Sequence, residues 1–167
     1  MPSTSQDRHS PWLNVLLDGQ HGARVETVGL HVTAIEGMST CNVIAGRGGT
    51  SEVESAVWRH FDLELPSDRR QSSKGSLTAA WDGRERWRFT AEGLEEGELC
   101  RRLLKCFDNA GVVIDQSHGL ATLRISGPAA RAVLAKGSCV DFDMKQFGPG
   151  DVALTQIAHI GVHKQLH

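Results

Sequence analysis

The chain has 167 residues, of which 40% are hydrophobic and 23% charged, and these fractions are typical of a globular protein. This length suits one domain with a proper hydrophobic core. Eighteen basic and 20 acidic residues give a formal net charge of -2, so no large field favours nucleic acid or an anionic membrane surface.

Residues 1–24 are predicted to be a flexible N-terminal tail, and residues 25–167 a single domain. The amino end lacks the apolar stretch of a secretory signal, and no apolar run approaches the ~20 residues needed to cross a bilayer. The four cysteines contain no C-x-x-C pair, which favours reduced, buried thiols over a disulfide framework or a zinc site: Cys41, Cys100, Cys106 and Cys139. We therefore expect a soluble, cytoplasmic protein.

The first strand is predicted over Val28–Ala34, where apolar residues alternate with polar ones as in a strand with one buried face. A second apolar run covers Cys41–Ala45. Ser51–Glu54 has the pattern of a capping box at the start of a helix. That helix should end by Leu65, because Pro66 disfavours helical geometry in the residue before it.

Residues 67–75 are polar and aperiodic, which predicts an exposed loop. Next comes a predicted hairpin with a glycine in its turn. The turn is Asp82–Arg84, and the two strands that flank it are Ser76–Trp81 and Glu85–Thr90. The next segment has a wide apolar helical face that ends at Gly111, formed mainly by Leu99, Leu103, Cys106 and Ala110.

Strand composition returns over Val112–Ile114 and Leu120–Ser126. A helix should then begin at Gly127–Pro128 and end at Gly137, and Val152–Val162 is predicted to be one long final strand. The fold class expected from this order is α+β, a mainly antiparallel sheet with helices on one face.

Gly46–Gly49 lies between a strand and a helix, where a phosphate-binding loop would sit. The dinucleotide fingerprint fails because Ser51 occupies the third glycine position, and the P-loop lysine is missing. A tight turn is the favoured interpretation.

His159 and His163 would share a face of the predicted final strand. Positions four apart on a strand are about 13 Å from each other, too far to share one metal ion, so a solvated or interfacial face is expected. Cys100 and Cys106 lie on the apolar helical face and are expected to act as small hydrophobes. No catalytic, cofactor-binding or metal-binding residue is assigned.

The polar cluster Asp115–Gly119 places a serine beside a histidine, but neighbouring residues are poorly placed to form a triad. No G-x-S-x-G elbow encloses the serine. A bend between two strands is favoured, with a contact surface for another chain as the alternative. The four tryptophans are expected mainly in the core or in hairpin packing, and any that are exposed would indicate an interface: Trp12, Trp58, Trp81 and Trp87.

One stretch, Leu123–Phe142, resembles the L-R-[LI]-S-G-P-x-A-R-x-[VL]-L-A-K-G signature of sarcosine oxidase gamma subunits. Asp115–Gly119 fits the family's D-x-S-x-G element, while Phe147–Gly150 and Thr155–Ala158 fit its F-x-P-G and T-x-[LI]-A elements. Trp81–Trp87 is similar to its W-x-G-x-[DE]-x-W hairpin. The resemblance spans residues 28–166 and is strongest in the last third of the chain.

This resemblance implies an accessory subunit of a four-subunit flavoenzyme that oxidatively demethylates sarcosine to glycine, forms hydrogen peroxide and passes the one-carbon unit to tetrahydrofolate. FAD, FMN, NAD and tetrahydrofolate would be bound by the alpha and beta subunits, and this chain would bind none. The partners implied are the alpha, beta and delta subunits, with alpha contacted most directly. The fold implied is similar to part of the folate-binding aminomethyltransferase of the glycine cleavage system.

The sequence departs from the family pattern in two ways. Ser138 and Cys139 stand in reversed order, and family members continue with another strand and helix where this chain stops at His167. We therefore expect either a shortened chain or a closing element supplied from elsewhere.

Three alternatives remain open. The chain could be the gamma-type subunit of a related oxidase or dehydrogenase of N-methyl amino acids. It could be a free-standing aminomethyltransferase-like protein that binds folate, with Asp115 the one candidate to hold the pterin. It could also be a plain structural interaction module.

Overall fold

The computed structural model describes residues 11–22, 27–107 and 109–166. Their helices and strands, in chain order, are β1 His31–Ile35, β2 Ser39–Ala45, α1 Thr50–Phe61, β3 Gln71–Lys74, β4 Leu77–Gly83, β5 Arg86–Ala91, α2 Glu98–Phe107, β6 Gly111–Asp115, β7 Thr122–Ser126, α3 Ala130–Gly137, β8 Val152–Ile157 and β9 Ile160–Gln165. The predicted N-terminal tail lies largely outside the described residues, and its flexibility stays a prediction. Within 11–22, the Val15 and Leu16 N–H groups donate to the carbonyl oxygen of Trp12.

The centre of the fold is a five-stranded antiparallel sheet in the order β3-β4-β5-β2-β6. Alternate residues of its strands point to one face, which α1 and α2 cover, and the buried core lies in this layer. Phe89, Val43, Leu99 and Leu103 are among its fully buried side chains. The expectation of a mainly antiparallel α+β fold with helices on a sheet face is confirmed for this layer.

Two smaller ladders lie outside this sheet, which the prediction of one sheet did not anticipate. β1 pairs with β7, and β8 pairs with β9. The β8–β9 hairpin is fastened to the β3 edge, because Val152 N–H donates to the Arg69 carbonyl and Gln71 N–H to the Gly150 carbonyl. An ion pair between Arg70 and Asp151, 2.7 Å long, strengthens the same junction.

Helix α1 begins without the predicted capping box. Gly49 is its N-cap, and no side chain caps the helix; Ser51 is already inside it and donates its hydroxyl to Glu52. The capping-box pattern predicted the wrong N-cap because Thr50 and Ser51 are both plausible caps. The turn before the helix requires glycine at position 49. The predicted end before Pro66 is confirmed, since Asp62 closes the helix in a left-handed conformation.

Two predicted elements are wrong. Residues 71–74 form the edge strand β3 instead of continuing the exposed loop; an edge strand is held by backbone pairing on one side, so it needs little apolar patterning. The single final strand is a hairpin whose two-residue turn is Ala158 and His159, both with positive φ. Neither residue is the glycine or asparagine that usually marks such a turn.

The remaining elements follow the predictions with small shifts. The β4–β5 hairpin forms, but its turn lies at Arg84 and Glu85, and Asp82 belongs to β4 at a β-bulge. Helix α2, strands β6 and β7, and helix α3 occupy the predicted segments. The apolar residues of β1 and α3 are an exception, because none is fully buried. Among the described residues, no helix combines the length and apolar character needed to span a membrane.

Candidate functional site

The glycine loop before α1 is a tight turn packed against the chain. Gly49 donates its N–H to the carbonyl of Gly46, and the Gly46 N–H donates to the carbonyl of Ala110. A Cβ atom at Gly49 would lie 2.8 Å from the same Ala110 oxygen. The glycines are therefore needed for close backbone approach, which supports the tight-turn interpretation over a phosphate-binding loop.

The Asp115–Gly119 segment forms the turn after β6, as predicted. The Asp115 carboxylate accepts the Ser117 N–H at 2.9 Å, and the Ser117 hydroxyl oxygen accepts the Thr40 N–H at 3.0 Å. His118 instead contacts Glu96, with 2.7 Å between Nε2 and Oε1. Because the serine and the histidine bond to different elements, they do not form a nucleophile and base pair.

The structure brings together two cysteines that the sequence analysis treated separately. Cys41 on β2, Cys100 on α2 and Asp115 at the end of β6 place one donor atom each within 4.8 Å of one another. Burial raises the pKa of the Cys41 thiol to about 12, and the negative charges of Cys100 and Asp115 act in the same direction. Without a cation, Cys41 is therefore a neutral thiol at physiological pH.

The other two cysteines stand apart from this cluster. Cys106 is buried, as predicted, and burial raises its pKa to about 11. Cys139 is exposed, so the prediction of a buried thiol is wrong there. Its position after α3, in a segment with few buried side chains, explains the difference. All four thiols are free.

A second polar cluster lies between the sheet and the β8–β9 hairpin. Arg88 Nη2 is 3.0 Å from Asp82 Oδ1, and the His163 Nε2 atom is 4.0 Å from the same oxygen. The Asp82 oxygen makes no well-aligned hydrogen bond to the described residues, so its contacts are charge attractions. Arg88 also donates from Nε to the Asn42 side-chain oxygen at 3.3 Å.

His163 corrects the prediction of a solvated or interfacial histidine pair. Only 4% of its side chain is exposed, whereas His159 is exposed in the hairpin turn. Its Nε2 lies 3.1 Å from the Trp81 carbonyl, which can only accept, and its Nδ1 lies 3.3 Å from the Gln165 amide nitrogen, which can only donate. These partners assign the neutral tautomer with the proton on Nε2.

The electrostatic environment agrees with a neutral imidazole. Burial lowers the pKa of His163 and the Arg88 charge lowers it further, against the opposing effects of the Trp81 carbonyl and Asp82. Burial also lowers the pKa of Arg88, which Asp82 partly offsets. This cluster can hold the hairpin on the sheet, and the side chains of Arg88, Asp82 and His163 are at most 15% exposed.

Two open depressions on the described surface do not bring buried polar groups together. One, with a volume of about 320 Å³, lies between α1 and α2 and includes Ser55, Arg59 and Cys106 in its lining. The other, about 510 Å³, is lined by charged residues of α2, including Glu98 and Lys105. Neither resembles the apolar pocket with a few converging polar groups that is typical of a ligand site.

Exposed apolar side chains are the more prominent surface feature. On β6, Val112 is 58% and Ile114 is 39% exposed. Trp58 on α1 is also 58% exposed, so among the tryptophans it is the one that suggests an interface. Trp87 is buried and donates to the Pro66 carbonyl, as expected of a core residue. Sequence periodicity placed these residues on strands and a helix but could not show which faces stay uncovered.

The comparisons with known proteins identify a curated relative. No family model matches the chain. A curated relative, sarcosine oxidase subunit gamma from Corynebacterium sp. (strain P-1), is 28% identical over 156 residues, covering 93% of this chain and 75% of the relative. This relative supports the resemblance to the sarcosine oxidase gamma subunit family that the sequence signature indicates.

The fold of this chain matches a solved structure as well. Heterotetrameric sarcosine oxidase from Corynebacterium sp. U-96, in complex with pyrrole 2-carboxylate, contains a chain that aligns with a TM-score of 0.68 and 24% identity. The alignment covers 80% of this chain and 68% of that one. The solved structure shows the fold, and the curated relative supports the resemblance drawn from the sequence signature.

The residues that carry the resemblance have structural roles in this chain. A Cβ atom at Gly127 would lie 2.7 Å from the Gly29 carbonyl oxygen, so glycine permits the contact between β7 and the segment before β1. Arg131 donates from Nη1 to the carbonyls of Phe142 and Phe147, at 2.7 and 2.8 Å. The signature therefore stabilises the carboxyl-terminal part of the fold.

Proposed function

We propose that this chain is the gamma subunit of a heterotetrameric sarcosine oxidase and contributes contact surface to that assembly without catalysing a reaction itself. The observation that carries the proposal is the uncovered apolar edge of the central sheet. The family relationship and the matching fold supply the kind of assembly in which such an edge would be covered.

The edge is formed by β6, which pairs only with β2 among the described strands. Ile44 on β2 is the cross-strand partner of Val112, and Asn42 is the partner of Ile114, so these four side chains share the face opposite α1 and α2. The β8–β9 hairpin covers the other half of this face, where His163 packs near Asp82. We call Ile44, Val112 and Ile114 the edge patch.

An exposed strand edge with apolar side chains is a liability in an isolated protein, because it can pair with other chains. Edge strands in monomers usually carry charges, prolines or bulges that prevent this. The edge patch has apolar residues on a regular strand instead. Such surfaces mark protein contacts, and we assign this one to a larger subunit of the assembly.

The proposal includes the finer properties implied by the family. The assembly would demethylate sarcosine oxidatively to glycine and pass the one-carbon unit to tetrahydrofolate. FAD, FMN, NAD and tetrahydrofolate would be bound by the alpha and beta subunits in the cytoplasm. Alpha would be the most direct neighbour, and it would carry a domain similar to the aminomethyltransferase-like fold that we propose for this chain.

Co-purification tests the proposal. The tagged full-length chain is co-expressed with the other subunits of its host's enzyme, and the proteins that co-elute are identified together with their flavin absorbance. We expect the wild-type chain to retain a flavin-bearing complex, and Val112→Lys to weaken retention about tenfold or more because a charge would be buried at the contact. Ser73→Lys, on the exposed opposite edge strand, is the control and should assemble normally.

Each part of the proposal can fail separately. Absence of any flavoprotein from the wild-type eluate would contradict the assignment to this enzyme. Normal assembly of a folded Val112→Lys variant would contradict the edge patch as the contact. Stoichiometric binding of flavin or folate by the isolated chain, measured by absorbance and calorimetry, would contradict the accessory role.

A further inference from the structure

The cluster of Cys41, Cys100 and Asp115 has the composition of a metal site and comes from three separate elements. Cys41 and Asp115 are direct cross-strand partners of β2 and β6, so both side chains point to the face that the helices cover. Cys100, in the first turn of α2, reaches the same place from above the sheet. The three donor atoms lie within 4.8 Å of one another.

These distances are close to those of a coordinated ion. Zinc binds thiolate sulfur at ~2.3 Å and carboxylate oxygen at ~2.0–2.2 Å in tetrahedral geometry, which places neighbouring ligand atoms roughly 3.5–3.8 Å apart. Small side-chain rotations would therefore bring the three donors to one ion. No backbone rearrangement is needed, because β2 and β6 are already adjacent and α2 packs on both.

The surroundings orient the carboxylate. Asp115 Oδ1 accepts the Ser117 N–H at 2.9 Å, which holds that oxygen and leaves Oδ2 for another partner. Ser117 is in turn held by the Thr40 N–H, and Thr40 precedes Cys41 in the chain. Hydrogen bonds of this kind from outer residues fix the orientation of metal ligands.

Burial changes across the cluster in the way a site with solvent access requires. Cys41 is fully buried, Cys100 is half-buried and Asp115 is exposed. The cluster therefore opens to solvent on the Asp115 side, which gives an ion a route in and a water molecule a place as a further ligand. Cys106, equally part of the core, has no second sulfur or carboxylate in such a group among the described residues.

We propose that Cys41, Cys100 and Asp115 bind one zinc-like divalent cation, with water completing the coordination. The two thiols lose their protons on binding and coordinate as thiolates. The ion joins α2 to β2 and β6 and stabilises this part of the fold. The site serves structure and does not depend on the proposed function of the assembly.

Cobalt(II) titration of the full-length, reduced and metal-free chain tests the site. Thiolate ligands give cobalt an intense near-ultraviolet charge-transfer band, and tetrahedral geometry gives strong visible bands. We expect both to saturate at one equivalent and to be displaced by zinc. Thermal unfolding of the same samples should shift to higher temperature when zinc is added.

Variants identify the ligands. Cys100→Ser should weaken zinc binding at least ~100-fold, since even the loss of an outer-shell partner costs 10–100-fold, and should reduce the charge-transfer band. Asp115→Asn should leave that band but alter the visible bands. Cys139→Ser removes the exposed thiol outside the cluster and is the matched control, with unchanged binding expected. Both test variants alter partly exposed positions, so folding can be verified independently.

Three results would overturn the proposal. They are a folded wild-type chain without a charge-transfer band, a band unaffected by Cys100→Ser, and a band lost in Cys139→Ser. The last of these would assign binding to the exposed thiol. A Cys41–Cys100 disulfide could block cobalt uptake until it is reduced. Its formation would support the proximity of the two sulfur atoms, and the titration would then be carried out on the reduced chain.

Discussion

The central layer and the carboxyl-terminal part of the chain are built on different principles. The main core cluster lies entirely between Cys41 and Phe107, where α1 and α2 cover one face of the five-stranded sheet. Beyond β6, only Phe142, Phe147 and Val152 are buried apolar residues among those described, and α3 buries none. The carboxyl-terminal part is held mainly by hydrogen bonds, ion pairs and docking to the sheet.

This contrast is informative because the family signature is strongest in the less buried part. Core packing tolerates many apolar combinations of similar volume. A segment fastened by particular polar contacts, such as those of Arg131, or by close approaches, such as that of Gly127, accepts fewer substitutions. A recognisable sequence pattern is therefore expected where specific contacts replace bulk burial.

The largest expected effect is in the central layer. Phe89→Ala removes a fully buried side chain from the middle of the sheet and should lower the free energy of unfolding by about 3–5 kcal/mol. Urea denaturation followed by tryptophan fluorescence measures this change, because Trp87 lies in the same core.

The comparison is made with Phe142→Ala in the carboxyl-terminal part. Phe142 contacts the edge of Phe147, with ring centroids 5.4 Å apart, and the Lys164 ammonium group. Its site is at the margin of the fold and can collapse more readily, so we expect a loss at or below the lower end of the ~3–5 kcal/mol range for Phe→Ala. Equal losses for the two variants would show that the two parts are packed alike.

The second prediction concerns the hydrogen bonds by which Arg131 holds the segment after α3. Arg131→Met keeps much of the side-chain length but removes two charged hydrogen bonds, to Phe142 and Phe147, and should cost roughly 2 kcal/mol. Hydrogen exchange should increase in residues 142–151 and remain unchanged in β2 and β5. Lys136→Met, at an exposed position of α3, is the control. A uniform increase in hydrogen exchange across the sheet would mean that this segment does not unfold separately from the central layer.

Local periodicity predicted the parts of the fold that carry strong local signals. The β4–β5 hairpin and α2 were found because their apolar residues repeat with the period of a strand or helix. β3 was missed because an edge strand of Gln71–Lys74 depends on pairing with β4, which the local sequence does not reveal. The turn at Ala158 and His159 was missed because neither residue normally marks positive φ.

The sites were less predictable than the elements. Cys41, Cys100 and Asp115 are distant in the chain, and only the register of β2 with β6 and the packing of α2 bring them together. Assigning His163 to one long strand placed it on a solvated face, whereas the hairpin buries it against Asp82 and Arg88. In both cases the position of the side chain depends on pairing between strands, which the local sequence pattern does not reveal.

The third prediction concerns pH. His163 is neutral when the hairpin is docked, and its folded pKa lies below the unfolded value of about 6.5. The unfolded chain therefore binds the proton more readily, so stability from this group is fully present above the unfolded pKa and is lost as pH falls below it. Protonation would also place a hydrogen between Nδ1 and the Gln165 amide and add a positive charge beside Arg88.

Thermal unfolding of the wild type and His163→Gln between pH 7.5 and 5 tests this coupling. The wild type should lose stability over this range, and the variant should lose less. His159→Asn, in the exposed turn of the same hairpin, is the control. Asparagine tolerates positive φ, so the turn is retained, and the pH dependence of stability should stay that of the wild type because the buried cluster is unchanged. If His163→Gln shows the same pH dependence as the wild type, the acid sensitivity arises elsewhere in the chain.

The smallest expected effect is a gain. Ala158 and His159 have φ values of 48° and 68° and connect the pair Ile157 and Ile160, a conformation that Asn-Gly adopts at less cost. The double substitution Ala158→Asn with His159→Gly should stabilise the hairpin by about 1 kcal/mol, seen as slower exchange of β8 and β9 amides. The reverse order, Ala158→Gly with His159→Asn, has the same composition and should gain less. Protection that rises equally in β2 and β5 would mean that the hairpin and the central layer unfold as one unit, which would remove the distinction between the two parts.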